Sequence, residues 1–311
     1  MKILLNLLLI LLLEKAYMEN PRKLTPSAKT NYSQNDVDSL KKYIYPIIGI
    51  DSTPVDGGTC FFVRHHKNIY LVAAKHILAG CLNDSTKSDH FANKHYVFLG
   101  SYAHAVELNT SAAKHLLPCN GLDLVMCRLM DTSMSKYIYS VEDYLMPDFS
   151  DFKSFVIAGF PATGFKKDML SSFPDVSFLH LQNKHFEILN LPDSKGNYDP
   201  NLFGIDWQRQ VSAGILFEGY SGAPVFIQDR TTLKWKLAGL LSAGKSIQND
   251  VERLIVVDVV AIMNKLDEAQ LLSKVQSAIF LFISVGVPSK TRFLHLPYSS
   301  VMFRLSLLSS R

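Results

Sequence analysis

In this chain of 311 residues, the part from Tyr45 to Val257 consists mainly of short apolar runs separated by turn-forming residues. The runs of the first half cover 45–50, 58–64, 68–74, 95–99, 104–108 and 122–129. After a polar connection, 131–150, a second series covers 154–160, 177–182, 185–190, 210–217, 224–228, 234–241 and 253–257. Runs this short, with turn signals between them, are typical of strands rather than helices. The pattern therefore predicts an all-β fold of the barrel type.

The composition is that of a chain able to bury a core, with 48% hydrophobic and 19% charged residues. The net charge of +4 says little about partners. The sequence contains no basic patch interleaved with aromatic residues, so we expect no nucleic-acid partner. The cysteines, Cys60, Cys81, Cys119 and Cys127, have no zinc-site spacing. We therefore expect neither a metal nor a cofactor.

The first 16 residues form a segment of their own. Residues 1–16 begin with Met-Lys and an apolar run, Ile3–Leu13, broken only by Asn6. The run has the length of a signal-peptide core and is short for a membrane span. No A-x-A cleavage site follows. Two interpretations stay open: the segment directs export or anchoring, or translation starts at Met18 and the protein is cytoplasmic. Contact with a membrane is expected only through this segment, if it is retained.

Residues 17–44 are polar and contain turn formers, which indicates a flexible lead-in. Within it we predict a short helix around 35–43, capped by Asn35 or Asp36. At the other end, Asp258 is a candidate cap for a closing helix, 259–270. Its apolar face is formed by Val259, Val260, Met263 and Leu266. The last segment, 271–311, has no clean period, and its structure stays open.

The stretch Gly219-Tyr220-Ser221-Gly222-Ala223-Pro224 precedes an apolar run. A serine hydroxyl needs a base to become a nucleophile, and it needs backbone N–H groups aimed at the oxyanion that forms during acyl transfer. Gly219 permits a tight turn in which the N–H groups of Gly219 and Ser221 point to one spot. The alternative is an ordinary glycine-rich β-turn.

Two upstream stretches supply the partners of such a serine. His76 lies just past the second of two apolar runs joined by a polar turn, and Asp123 lies at the start of the run Leu122–Cys127. The chain order is therefore His76, Asp123, Ser221, with sequence separations of 123 − 76 = 47 and 221 − 123 = 98. A histidine at a strand end and an aspartate in a turn would explain each residue separately.

Five motifs in this order resemble the chymotrypsin-like serine peptidases in their bacterial form. They are Gly-Thr-x-Phe-Phe-Val, Val-Ala-Ala-Lys-His, Leu-Asp-Leu-Val, Gly-Tyr-Ser-Gly-Ala-Pro-Val and Leu-Leu-Ser-Ala-Gly. The resemblance covers residues 45–262. The resemblance implies two packed six-stranded antiparallel β-barrels with a closing C-terminal helix, and a peptidase domain over 45–270. It also implies a serine endopeptidase that needs no cofactor and acts on a protein or peptide substrate.

The resemblance assigns roles to individual residues. His76 would be the general base, Asp123 would orient and stabilise its ring, and Ser221 would be the nucleophile, with Gly219 and Ser221 forming the oxyanion hole. Ser242, Ala243 and Gly244 would pair with the substrate backbone as an added strand. For that last stretch, a plain core strand ending in a turn is the alternative.

Departures from the family restrict this picture. Tyr220 stands where animal trypsin relatives have an aspartate that pairs with a freed N-terminus, so activation by clipping is not expected. Ile215 occupies the specificity position six residues before the serine, where an aspartate would select basic side chains. We therefore expect a small or medium apolar substrate side chain at this subsite, although Lys245 could favour an acidic one.

Two other functions compete with this one. An α/β-hydrolase-type esterase would use Ser221, Asp258 and His295, but the chain has no regular strand–helix alternation. A non-catalytic peptide-binding module on the same fold is the second rival. The family resemblance also suggests a disulfide between Cys60 and Cys81, whereas buried free thiols are the alternative. The oligomeric state is left open by the sequence.

Overall fold

The computed structural model describes fourteen stretches of the chain. They are residues 37–49, 57–79, 94–100, 104–108, 116–119, 121–129, 132–142, 152–160, 176–182, 186–193, 195–208, 219–229, 231–246 and 251–271. The predictions for residues 1–36, for the run 210–217 with Ile215, for 272–311 with His295, and for Cys81 lie outside these residues.

The first half of the chain forms one sheet. Its strands are β1 Ile44–Gly49, β2 Gly57–His65, β3 Asn68–Ala73, β4 His95–Phe98, β5 Ala105–Leu108, β6 Leu116–Pro118, β7 Val125–Arg128 and β8 Ser140–Val141. The order is β5-β4-β1-β2-β3-β7-β6, and β8 pairs with β2. All pairs along this order are antiparallel, and the β2–β8 pair is parallel.

The second half forms a seven-stranded antiparallel sheet within the described residues. Its strands are β9 Phe152–Gly159, β10 Ser177–Gln182, β11 Phe186–Pro192, β12 Tyr198–Gln208, β13 Pro224–Asp229, β14 Trp235–Ser246 and β15 Val251–Asp258. The order is β10-β9-β13-β14-β15-β12-β11. The prediction of an all-β fold with two antiparallel sheets is confirmed.

Both faces of the central strands in the second sheet are buried. On β9, Phe155 and Ile157 belong to one core, whereas Val156 and Ala158 belong to the core that the sheet shares with the first sheet. Because successive side chains of a strand point to opposite faces, each face receives its own apolar set. This explains why the sequence of such strands reads as continuously apolar rather than alternating.

A helix, α1 at residues 259–271, follows β15 directly. Asp258 caps it, since a carboxylate oxygen accepts the Val260 N–H at 2.8 Å. Val259, Met263 and Leu266 are buried and Val260 is half-buried against the same core, so the predicted helix, its cap and its apolar face are confirmed. The chain divides into two compact units, Met1–Leu266 and Asp267–Arg311. No described helix is long and apolar enough to cross a membrane.

Other elements differ from the sequence prediction or lie near its limits. Strands β6 and β8, with three and two residues, are too short to produce an alternating pattern. Strand β12 was missed because Pro200 and Gly204 interrupt its apolar residues, although Phe203, Ile205 and Trp207 alternate along it. The described sheets therefore have eight and seven strands instead of six each. The predicted short helix at 35–43 corresponds to helical residues 37–43.

Candidate active site

Antiparallel pairing of β3 with β7 brings His76 and Asp123 to the same end of the first sheet. Ala73, the last residue of β3, pairs with Val125, the first residue of β7. His76 follows β3 in a short 3-10 helix, Lys75–Leu78, and Asp123 lies in the turn just before β7. The turn is held by backbone hydrogen bonds between Cys119 and the residues flanking Asp123.

Asp123 receives two hydrogen bonds from His76. The backbone N–H of His76 donates to Asp123 Oδ1 at 2.9 Å, and His76 Nδ1 lies 2.7 Å from Asp123 Oδ2. A carboxylate oxygen can only accept, so the ring proton lies on Nδ1 and Nε2 is left as the acceptor. The two side chains are 32% and 28% exposed, which leaves the ring accessible to a reactant.

A third donor reaches the same carboxylate. The Ser242 hydroxyl donates to Asp123 Oδ2 at 2.8 Å, although Ser242 lies on β14 of the second sheet. Burial by itself raises the pKa of Asp123, but the hydrogen bonds and charge of His76, together with the Ser242 hydroxyl, outweigh it and lower that pKa below its ordinary value. The carboxyl is therefore held in its charged form, which suits it to stabilise a protonated histidine.

Ser221 lies in a turn, 219–222, that leads into β13 and is clamped between the two sheets. The Ser221 carbonyl accepts the N–H of Thr59, on β2, at 2.9 Å, and the Gly222 N–H donates to the Leu241 carbonyl at 2.8 Å. The turn closes on itself through the Ala223 N–H and the Tyr220 carbonyl at 2.8 Å. These contacts fix the turn against the strand next to the one that leads to His76.

Two glycines of this turn have backbone conformations that other residues rarely adopt. Gly219 has φ +89° and Gly222 has φ +83°. A Cβ at Gly222 would overlap the Thr59 carbonyl oxygen and lie 3.2 Å from the Ala74 nitrogen. Ala74 is two residues before His76, so the absence of a side chain at Gly222 allows the serine turn to approach the histidine segment.

The predicted substrate stretch lies near the end of β14. Ser242 is buried, whereas Ala243 and Gly244 are exposed. On one side β14 pairs with β15 as far as Ser246, but its hydrogen bonds towards the β13 side end at Leu241. Among the described residues, no strand covers that edge of β14 beyond Leu241. Sequence reasoning gave Ser242 only this backbone role and missed its hydroxyl contact with Asp123.

Other predicted features lie beside the site or beyond the described residues. Cys60 is a fully buried free thiol whose pKa is raised well above its ordinary value by burial, which agrees with the buried-thiol alternative. Within the described residues of Met1–Leu266, no three His, Cys, Asp or Glu side chains converge as metal ligands would. The expected lack of a metal stays a prediction.

Comparison with known proteins gives similar structures but no matching sequence family. No family model matches the chain, and no curated protein matches it. An inactive form of Rv3671c from M. tuberculosis H37Rv is 13% identical over 79% of this chain and 96% of that chain, with a TM-score of 0.46. The tobacco vein mottling virus protease is 10% identical over 74% and 83%, with a TM-score of 0.43. The thermostable serine protease AL20 from an extremophilic microorganism is 13% identical over 72% and 95%, with a TM-score of 0.45. Likenesses of this size assign no activity to the chain.

Proposed function

We propose that this chain is a serine endopeptidase that hydrolyses peptide bonds through an acyl-enzyme. His76 is the general base, Asp123 orients it, and Ser221 is the nucleophile. The observation that carries the proposal is the double hydrogen bond from His76 to Asp123, which fixes both the backbone and the ring of the histidine. With Nδ1 engaged, Nε2 is the nitrogen that takes the serine proton.

The chemistry follows from these roles. Ser221 Oγ bonds to the substrate carbonyl carbon while its proton passes to His76 Nε2, and Asp123 stabilises the imidazolium that results. The N–H groups of Gly219 and Ser221 hold the oxyanion. When the carbon–nitrogen bond breaks, His76 returns the proton to the leaving amine. Water then repeats the sequence on the acyl-enzyme and releases the acid.

The edge of β14 that no described strand covers supports a peptide as the substrate. An extended peptide can add to an exposed strand edge through main-chain hydrogen bonds. Ala243 and Gly244 are exposed on the part of β14 that lies beyond the last hydrogen bond to the β13 side. The peptide would therefore lie next to Ser242, whose hydroxyl contacts Asp123. The side-chain preference predicted from Ile215 and Lys245 is part of this proposal.

The geometry argues against the esterase alternative. An α/β-hydrolase needs a mostly parallel sheet with crossover helices, and every described pair except β2–β8 is antiparallel. Asp258, its candidate acid, is buried, and its carboxylate caps α1.

A fluorophosphonate probe on the full chain tests the proposal, with peptide mapping of the modified residue and labelled casein as the substrate. Modification should fall on Ser221. Ser221→Ala and His76→Ala should each lower casein hydrolysis by at least about 10⁴-fold, and the double variant should be no worse, because triad members act as a unit.

His295→Ala is the matched control and should hydrolyse casein normally. An inactive His295→Ala together with an active His76→Ala would refute the assignment of the base. A folded wild type that binds peptides but neither hydrolyses casein nor reacts with the probe would favour the non-catalytic binding module.

A further inference from the structure

Thr59 connects three segments of the chain at the candidate active site. It lies on β2 and has no exposed surface. Its N–H donates to the Ser221 carbonyl at 2.9 Å, its hydroxyl donates to the Gly219 carbonyl at 2.9 Å, and the Phe160 N–H donates to its hydroxyl oxygen at 3.0 Å. A single buried residue of the first sheet thus holds two carbonyls of the serine turn and the backbone just after β9.

The direction of the hydroxyl proton is fixed by its partners. A backbone N–H can only donate and a carbonyl can only accept. The Thr59 hydroxyl must therefore accept from Phe160 and give its own proton to Gly219. Since the residue is fully buried, water does not compete for either contact.

Three successive carbonyls of the serine turn are held in this way. The Gly219 carbonyl is bound by the Thr59 hydroxyl, the Tyr220 carbonyl by the Ala223 N–H, and the Ser221 carbonyl by the Thr59 N–H. In a trans peptide the N–H points opposite to the C=O, so holding the Tyr220 carbonyl aims the Ser221 N–H to the other side. The Thr59 hydroxyl does the same for the preceding plane, which joins the Gly219 carbonyl to the Tyr220 N–H, and the Thr59 N–H does so for the following plane, which joins the Ser221 carbonyl to the Gly222 N–H. The plane that carries the Ser221 N–H is therefore flanked on both sides by planes that Thr59 holds.

Gly219 is the residue of this turn that most needs an external contact. With φ +89° it uses a conformation open to glycine, and a glycine-flanked peptide rotates more freely than others. The space for the hydroxyl is left by Gly159, where a Cβ would lie 3.0 Å from Thr59 Oγ1. The Thr59 hydroxyl therefore supplies a fixed donor to the peptide that follows Gly219.

We propose that Thr59 is a positioning residue for the serine turn, whose hydroxyl and N–H hold the peptide planes on both sides of the Ser221 N–H and so keep that N–H in its direction. This inference rests on the proposed function, in which the Ser221 N–H is one of the two groups that bind the oxyanion. Thr59 touches neither substrate nor reacting atoms and acts through the peptide planes of the turn.

The test measures how fast the full chain reacts with a fluorophosphonate over a range of probe concentrations. In this reaction Ser221 Oγ bonds to phosphorus, fluoride leaves, and the serine proton passes to His76. The phosphoryl oxygen occupies the oxyanion site, so the maximal rate, kinact, reports on its donors, whereas KI reports on probe binding. Thr59→Val removes the hydroxyl at nearly constant volume, and Thr59→Ser keeps the hydroxyl.

Removing one oxyanion donor costs about 10²–10³-fold in rate, so losing a contact that positions the Ser221 N–H should lower kinact by about 10- to 100-fold. KI should change little, and Thr59→Ser should recover most of the rate. Ser154→Ala is the control, since its buried hydroxyl has no partner among the described residues. Ser154 lies on β9, and Phe160 directly follows that strand, so the two residues are roughly 20 Å apart along the chain direction.

Each outcome decides between the alternatives. A Thr59→Val protein that is folded by thermal melting and reacts at the wild-type kinact would overturn the inference while leaving the proposed function intact. If Thr59→Val does not fold, Thr59→Ala and Thr59→Ser are compared, and failure of all three to fold would assign Thr59 to stability alone. A folded wild type that is not modified at Ser221 would instead refute the proposed function, and the role of Thr59 with it.

Discussion

Replacing Asp123 with asparagine exchanges one carboxylate oxygen for an NH₂ group of nearly equal size. The Oδ1 position faces the backbone N–H of His76, which can only donate a hydrogen bond. The Oδ2 position faces His76 Nδ1 and the Ser242 hydroxyl. An asparagine will therefore turn its oxygen towards the backbone N–H and its NH₂ group towards the histidine ring.

This orientation changes the histidine tautomer. With an NH₂ donor at the Oδ2 position, Nδ1 must become an acceptor, and the ring proton moves to Nε2. A ring that carries its proton on Nε2 cannot take one from Ser221 at that atom. The variant also loses the negative charge that stabilises the imidazolium.

The magnitude follows from the two hydrogen bonds that the charged oxygen accepts at the Oδ2 position and that an uncharged NH₂ group cannot accept. Hydrogen bonds to charged groups contribute about 1.5–3 kcal/mol each, which gives about 3–6 kcal/mol for two. Because the His76 and Asp123 side chains are 32% and 28% exposed, screening by water favours the lower part of this range. At 1.36 kcal/mol per factor of ten, kcat should fall by about 10²- to 10³-fold.

The assay is casein hydrolysis with initial rates normalised to folded protein. Asp206→Asn is the matched control, because it makes the same chemical change at a carboxylate outside the candidate site. Asp206 forms a bidentate ion pair with Arg253 on the second sheet, at 2.7 Å for each contact. The Asp206→Asn variant should keep the wild-type rate. If Asp123→Asn retains more than a tenth of the wild-type kcat while folded, the argument for His76 and Asp123 as a unit is wrong.

Two further substitutions test the surroundings of the pair. Ser242→Ala removes one hydrogen bond to the Asp123 carboxylate, so kcat/KM should fall by about tenfold. The lowered pKa of Asp123 also contributes to the stability of the folded protein. This contribution is present above about pH 3.9, the ordinary pKa of an aspartate in an unfolded chain, and is lost as the pH falls through the lower pKa of the folded state. Because Ser242→Ala removes one of the hydrogen bonds that lower this pKa, the variant should lose the contribution at higher pH in acid titrations followed by tryptophan fluorescence. Gly222→Ala forces a Cβ onto the Thr59 carbonyl at φ +83°, so urea unfolding should show a loss of at least about 2 kcal/mol, and an unchanged midpoint would contradict the described turn.

The pairing of His76 with Asp123 is implied only by the family resemblance, because β3 and β7, whose antiparallel pairing brings these residues together, are not consecutive along the chain. The strand pattern could be predicted because it depends on local signals, namely apolar runs bounded by turn residues, which mark β3 and β7 in the sequence. Asp258 and the helix it caps were predictable for the same reason, since a cap and a 3.6-residue period lie within one short segment.

Strand β12 shows where this reasoning fails. Its apolar residues alternate, but Asp199, Pro200 and Gly204 lie among them, and such residues are read as turn signals when the partner strands are unknown. The pairing with β11 and β15 on its two sides overrides those local preferences. Propensity alone therefore placed a connection where the structure has a strand.

The hydroxyl of Ser242 could not have been assigned from the sequence either. The register of β14 against β15 shifts between Leu241 and Ala243, and such a bulge redirects the side chain at that point. Nothing in the apolar pattern marks a single inserted residue. A motif that predicts a backbone role for this stretch therefore gives no indication that its serine reaches Asp123.

Contacts between the two sheets are the part of the site that depends most on the whole fold. Thr59 and Ser221 are 162 residues apart, and their contact requires that both sheets be formed and packed. The close approach depends on residues without side chains, because a Cβ at Gly58 would crowd Ile77 and lie 3.1 Å from the Ser221 carbonyl oxygen. Gly58 and Gly222 both lie in the sequence motifs. In the structure, their missing side chains allow the serine turn to lie against β2 and the segment just before His76. The order of His76, Asp123 and Ser221 along the chain thus predicts which groups react, whereas the small residues between the sheets determine whether those groups meet.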